Sequence, residues 1–227
     1  MFLGHYAVAL GAKRVAPETS LGTLVLAAQL ADLVWPILVL AGVERVRVEP
    51  GITAFSPLDF EHYPLTHSAA LVLVWAALLA GIYLARTGYR AGAIACGVAV
   101  ASHWVLDLVV HRPDLPIWPG GPKVGLGVWR SVPATLAVEL LLFAAGVAIY
   151  LSSTRARDRA GTIGIGSLLA FLLIVYAASA LGPPPPSSQA IGGAGLALWL
   201  LVPWAAWADR HRAPRGAARG PSAALQP

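Results

Sequence analysis

Six stretches of about twenty residues, at 21–41, 65–84, 91–110, 133–151, 163–181 and 190–208, contain no Lys or Arg. About twenty apolar residues in a helix rise far enough to cross a hydrocarbon core of ~30 Å. In lipid no water satisfies the backbone, so such stretches must close their own hydrogen bonds as helices. The composition agrees. Only 12% of the residues are charged, against about 25% in a soluble domain, and the mean hydropathy is +0.69. The expected fold is all-α, a polytopic membrane helix bundle of about six transmembrane helices. A shorter apolar segment, 3–14, precedes them and ends at Lys13-Arg14. It is too short to span and reads as a half-helix dipping into the membrane.

Six spans place both termini on one side. With that side cytoplasmic, the inner segments hold eleven Lys and Arg residues and the outer loops hold five: Arg45, Arg47, Arg112, Lys123 and Arg130. The positive-inside rule therefore predicts a multi-pass membrane protein with cytoplasmic N- and C-termini. No secretory signal pattern is expected, because there is no basic n-region and His5 and Tyr6 interrupt the first apolar stretch. The net charge of +5 reads as topology and contact with anionic lipid, not nucleic acid. Cys96 is the sole cysteine, which excludes an intrachain disulfide and a Cys-rich zinc finger. Three parts are expected: a four-span domain over 1–151, two accessory spans within 161–208, and a basic, disordered tail over 209–227. The oligomeric state has no signature.

The polar residues inside the apolar runs carry the chemical information. Span 91–110 holds His103 and Asp107, and His111 follows at its end. The spacing of four puts all three on one helical face, an arrangement suited to zinc or a similar divalent ion. Span 21–41 holds Asp32, four residues before Pro36, so a kink is expected there. Span 65–84 opens with Thr66-His67-Ser68, span 133–151 carries Glu139, and the half-helix carries His5. By helical rise, Asp32, His103 and Glu139 lie ~16–20 Å above the cytoplasmic face, Asp107 one turn higher and His5 at ~12 Å. His67 lies nearer the outer face. Asp59, Glu61 and His62 fall in a polar outer loop, where charge is ordinary.

An acid at the centre of a membrane helix costs ~2.5–3.5 kcal/mol, so Asp32, Asp107 and Glu139 would cost roughly 8–10 kcal/mol unpaired. None of the spans offers a Lys or Arg to offset this. A bound divalent ion, with apparent binding worth about 10–16 kcal/mol, would. Protonation, water and helix–helix hydrogen bonds are the competing explanations.

Gly4-His5-Tyr6, Ala31-Asp32, Thr66-His67-Ser68 and Ser102-His103-Trp104-Val105-Leu106-Asp107, in this order and spacing, resemble the motifs of the membrane-bound metal-dependent hydrolases. That family is also described as LexA-binding, inner-membrane-associated hydrolases. The resemblance covers residues 3–150, and its ligand order is similar to that of zinc-dependent phospholipase C. It implies His5, Asp32, His67, His103 and Asp107 as metal ligands, with Glu139 as a further ligand or base. The N-terminal tryptophan of the soluble enzymes has no counterpart here and histidines are fewer, so one or two ions are expected rather than three.

The expectation is therefore a membrane-embedded metal-dependent hydrolase. It would bind Zn²⁺ through His5, Asp32, His67, His103, Asp107 and His111, use Asp32 and Glu139 as catalytic acids or bases, and act on a phosphoester or lipid-linked substrate. A transporter or proton relay built on the same intramembrane His, Asp and Glu residues is the alternative. A non-enzymatic membrane scaffold is the third reading.

Overall fold

The computed structural model describes residues 1–215, an all-α bundle with three short β-ribbons outside the long helices. Helix α1 (Leu3–Ala12) is followed by α2 (Leu21–Ala28) and α3 (Leu30–Leu40), which meet at Gln29 with a bend of 55°. An antiparallel hairpin, β1 (Arg45–Val48) and β2 (Leu58–His62), leads to the single turn α4 (Pro64–His67). Ser68 stops α4 and caps the next helix, α5 (Ala69–Thr87), by accepting from the Leu71 amide. Gly88, at φ 67°, ends α5 in the left-handed region open to glycine. Helix α6 (Arg90–Val110) then runs to a loop holding β3 (Leu115–Pro116) and β4 (Lys123–Val124). Helix α7 (Val132–Ser153), strand β5 (Thr154–Ala156) and helix α8 (Arg159–Leu181) follow. Helices α9 (Ser188–Leu196) and α10 (Leu201–Arg210) are linked by one tight turn and act as one rod before β6 (Arg212–Pro214), which pairs with β5.

Five helices are long and apolar enough to cross a membrane, and six if the bent α2–α3 pair is one span. The chain is a multi-pass membrane protein. Its perimeter agrees, since Leu73, Ile94, Leu141 and Ile174 are each more than 60% exposed. Such an apolar surface is stable facing lipid and a liability facing water. The interior mixes small, aliphatic and aromatic side chains, among them Ala28, Cys96, Leu24, Leu172, Phe143 and Tyr150.

The half-helix α1 is not a surface element. It lies inside the bundle against α7, α2 and α6. A side chain at Gly146 would place its Cβ 2.6 Å from Ala7 Cα, so only glycine allows α7 and α1 this approach. Glu139, two turns earlier on α7, accepts hydrogen bonds from the amides of Phe2 (2.9 Å), Leu3 (2.6 Å) and Gly4 (3.4 Å). These are orphan donors of a helix start, and away from water they need such a partner. Glu139 thereby fixes α1 and, with it, His5.

Two expectations require correction, the place of the break and the start of the tail. The break in the first span falls at Gln29 (φ −102°, ψ 7°), not at Asp32–Pro36, and Pro36 sits inside α3. Bending at Gln29 brings the Ala28 carbonyl within reach of His103 Nδ1 (2.9 Å). The two C-terminal accessory spans pack on the first span, α10 on α2 and α9 on α3. A Cβ on Gly22 would stand 2.6 Å from the Val202 carbonyl, so α2 is shaped for α10. Finally, residues 209–215 fold back instead of fraying. Asp209 is buried and accepts from Lys13 Nζ (2.6 Å), the Leu21 amide (3.0 Å) and Tyr150 Oη (3.0 Å). A buried charge persists when paired and fully hydrogen-bonded, and this one ties α1, α2, α7 and α10 together. The rest of the expected tail, 216–227, lies outside the described residues.

Candidate metal centre

Helix α6 presents His103 and Asp107 on its buried face. Asp32 comes from the start of α3, just past the break, and His67 from the last residue of α4. These four side chains meet. His103 Nε2 lies 3.3 Å from Asp107 Oδ2 and 3.7 Å from Asp32 Oδ1, and His67 Nε2 lies 3.8 Å and 3.4 Å from the same two atoms. Zinc bound tetrahedrally at about 2.0–2.1 Å requires ligand atoms about 3.3–3.4 Å apart. The four His–Asp separations sit at that edge length or slightly above it, and the residues fall into two overlapping groups, one with Asp32 and one with Asp107. His103, His67 and Asp107 are almost fully buried, and the Asp32 side chain is 25% exposed on the open flank.

The orientation of each imidazole is set from behind. His103 Nδ1 faces the Ala28 carbonyl, which can only accept, so Nδ1 carries the proton. Thr66 Oγ1 donates to Glu44 Oε2 (2.6 Å) and therefore accepts from His67 Nδ1 (2.7 Å). Glu44 is held in turn by the amides of Leu65 (2.7 Å) and Thr66 (3.0 Å). His111 Nδ1 donates to Asp114 Oδ1 (2.9 Å). A neutral imidazole whose Nδ1 is a donor offers a lone pair at Nε2. Three Nε2 atoms so oriented face carboxylate oxygens. Such a contact needs a positive charge between the two atoms, a proton on the imidazole or a metal ion, and an outer acceptor on the far ring nitrogen is a recurring feature of metal-bound histidine.

The remaining expected residues take graded places. His5 is fully buried, stacks on His103 at a centroid distance of 3.7 Å, and brings Nε2 to 3.2 Å from Asp107 Oδ1. Neither ring nitrogen of His5 has a hydrogen-bond partner among the described residues. His5, His103 and Asp107 thus form a second ligand group sharing His103 with the set of Asp32, His67 and His103. The Met1 nitrogen donates to Asp107 Oδ1, so that oxygen already has a donor, whereas Oδ2 faces only imidazoles. His111 Nε2 stands back at 3.9 Å from Asp107 Oδ2, at the rim. Glu139 uses Oε2 to hold α1 and borders the same cavity. Asp59 and Glu61 are paired with Arg47 at 2.8 Å and 2.9 Å, Asp59 also with Arg112, and His62 is exposed.

The supporting residues Glu44, Asp114 and Tyr63 had no individual signal in the sequence. Asp114 stands three residues past His111, a pairing that spacing could have exposed, but Glu44 is twenty-two residues from Thr66 in a loop. Tyr63 Oη donates to Asp114 (3.4 Å). Burial first, and the Asp114 charge second, push this phenol well above its ordinary range, so it stays a donor.

No protein-family model matches this chain, and neither a curated protein nor a solved structure matches it. The chemistry of the site is therefore read from its own geometry. That geometry fits a metal ion. Asp32, His67 and His103 form one group of side chains that could hold a metal ion, and His5, His103 and Asp107 another.

Proposed function

We propose that this protein is a membrane-embedded metal-dependent hydrolase of phosphate esters, with Zn²⁺ held by Asp32, His67, His103 and Asp107. The observation that carries this reading is the aim of the His67 and His103 Nε2 atoms at Asp32 and Asp107, with both Nδ1 atoms tied from behind. A divalent ion in that place would lower the pKa of a water and polarise an ester oxygen. Asp32, partly exposed on the open flank, is the group placed to take the water's proton. His5 and His111 flank the set on opposite sides of Asp107 and would hold a second ion or orient the substrate. Glu139 acts as a positioning residue through α1. The resemblance to the membrane-bound metal-dependent hydrolases supports the same reading. The charge bias of the loops supports cytoplasmic termini, and the resemblance supports the inner (cytoplasmic) membrane.

The test is hydrolysis of a chromogenic phosphodiester by the purified full chain. Activity should vanish on chelation, return with Zn²⁺, and fall at least about a hundredfold in His103→Ala and Asp107→Asn. Chelator-resistant activity would overturn the proposal.

The bent α2–α3 pair beside Asp32 favours a second reading, since broken helices next to ionisable groups line ion paths in transporters. Under that reading, reconstituted vesicles would carry a proton-coupled flux that Asp107→Asn abolishes and chelator leaves unchanged.

A further inference from the structure

Asp32, His67, Asp107 and His111 of the cluster line a cavity of about 650 Å³. At about 30 Å³ per water, that is room for ~20 water molecules, far beyond what a phosphoryl group and an attacking water need. Away from the cluster its walls come from the β1–β2 hairpin loop, α3, the C-terminal end of α8 and α9. Trp35 and Pro36 form the α3 wall, Tyr176 and Ala180 the α8 wall, Ile191 and Ala194 the α9 wall. None of these six side chains carries a charge. The hairpin loop closes the top through Phe55, which packs on Tyr176 at 5.9 Å and whose amide donates to the Trp129 carbonyl.

The two outer walls are joined through the α9–α10 rod. Helix α9 leans on α3, where Trp199 Nε1 donates to the Leu33 carbonyl, while α8 leans on α10. The proline-rich connector between them contributes Pro183, Pro184 and Pro185 to the rim. The cavity thus runs between two membrane-crossing elements with exposed apolar residues, Ile174 (66%) and Leu181 (86%) on α8 and Leu196 (41%) on α9. A water-soluble ester would leave these walls wet and unmatched. A molecule with an anionic ester at one end and a hydrocarbon chain at the other matches both ends.

We infer that the substrate is a lipid phosphate ester whose hydrocarbon chain lies between α8 and α9 and whose phosphate reaches the His/Asp cluster. The C-terminal helices are then the chain-binding wall of the site. The assignment rests on the hydrolase reading for the phosphate end, and on the cavity alone for the chain end.

The experiment uses the full chain in phosphatidylcholine nanodiscs, with a phosphatidic acid bearing a photoreactive diazirine near its chain terminus. Cross-linked peptides are mapped by mass spectrometry. Labelling of residues 176–180 and 190–194 should exceed that of the lipid-facing side of α5 by about tenfold, and the indole of Ala194→Trp should remove that excess. A diazirine alcohol of equal chain length without phosphate should label the same segments less. Even labelling around the bundle in the wild-type chain overturns the proposal, whatever the variant does. His103→Ala separates the two claims, since it removes turnover and should keep the chain labelling. Enrichment with no turnover of any phosphate ester would uphold the chain site and count against the hydrolase reading alone.

Discussion

At the scale of single residues, the site is set as much by what stands behind the imidazoles as by the imidazoles themselves. Thr66 Oγ1 links His67 to Glu44, so Thr66→Val, which keeps the shape and removes the hydroxyl, leaves the His67 tautomer undirected. The expected result is a loss of about 10–100-fold in metal affinity, read by competition with a chromogenic chelator, with little change in thermal unfolding. Unchanged affinity would mean that the relay does not act on a metal. The inner residues were legible because their type and place conflict. A carboxylate at 107 and an imidazole at 103 within a span lacking Lys and Arg are costly unless they serve a purpose. The outer residues were illegible for the opposite reason. A Glu at 44 or an Asp at 114 in a polar loop costs nothing in water, and only the fold reveals that both are buried.

At the scale of elements, proline misled the reading of α2–α3. Pro36 forbids its own amide bond but not the helix, and α3 continues through it, whereas the break at Gln29 carries no proline or glycine. The determinant is tertiary, since that bend brings the Ala28 carbonyl to His103. The end of α10 was misread for a related reason. A run rich in Arg, Pro, Gly and Ala resembles a tail, yet Asp209 makes it a clasp for Lys13, Leu21 and Tyr150. Asp209→Ala strands the buried Lys13 ammonium and should destabilise the protein by about 3–5 kcal/mol. Thermal unfolding in detergent measures this, and a melting temperature equal to wild type would contradict a structural role for the clasp.

At the scale of the whole molecule, span number was legible from length and apolarity, which lipid enforces on every residue of a crossing helix. The packing order of the helices was not, because lipid-facing and partner-facing apolar residues look alike in sequence. The long stretch between the first residues and α7 had therefore to be folded before Glu139 could be seen as the anchor of α1. Orientation remains a statement about charge bias and has a direct check. Cys96 is fully buried, so single added cysteines report without background. In intact cells a membrane-impermeant thiol reagent should label Trp118→Cys in the outer loop and spare Thr87→Cys until the membrane is opened. The reverse pattern would invert the topology. The account as a whole depends on a cation between the Asp32 and Asp107 carboxylates and the surrounding imidazoles, and elemental analysis of folded, chelator-free protein tests that most directly. About one or two equivalents of a divalent metal per chain, lost in Asp107→Asn, is the predicted result; less than about a tenth of an equivalent in the wild-type protein would contradict it.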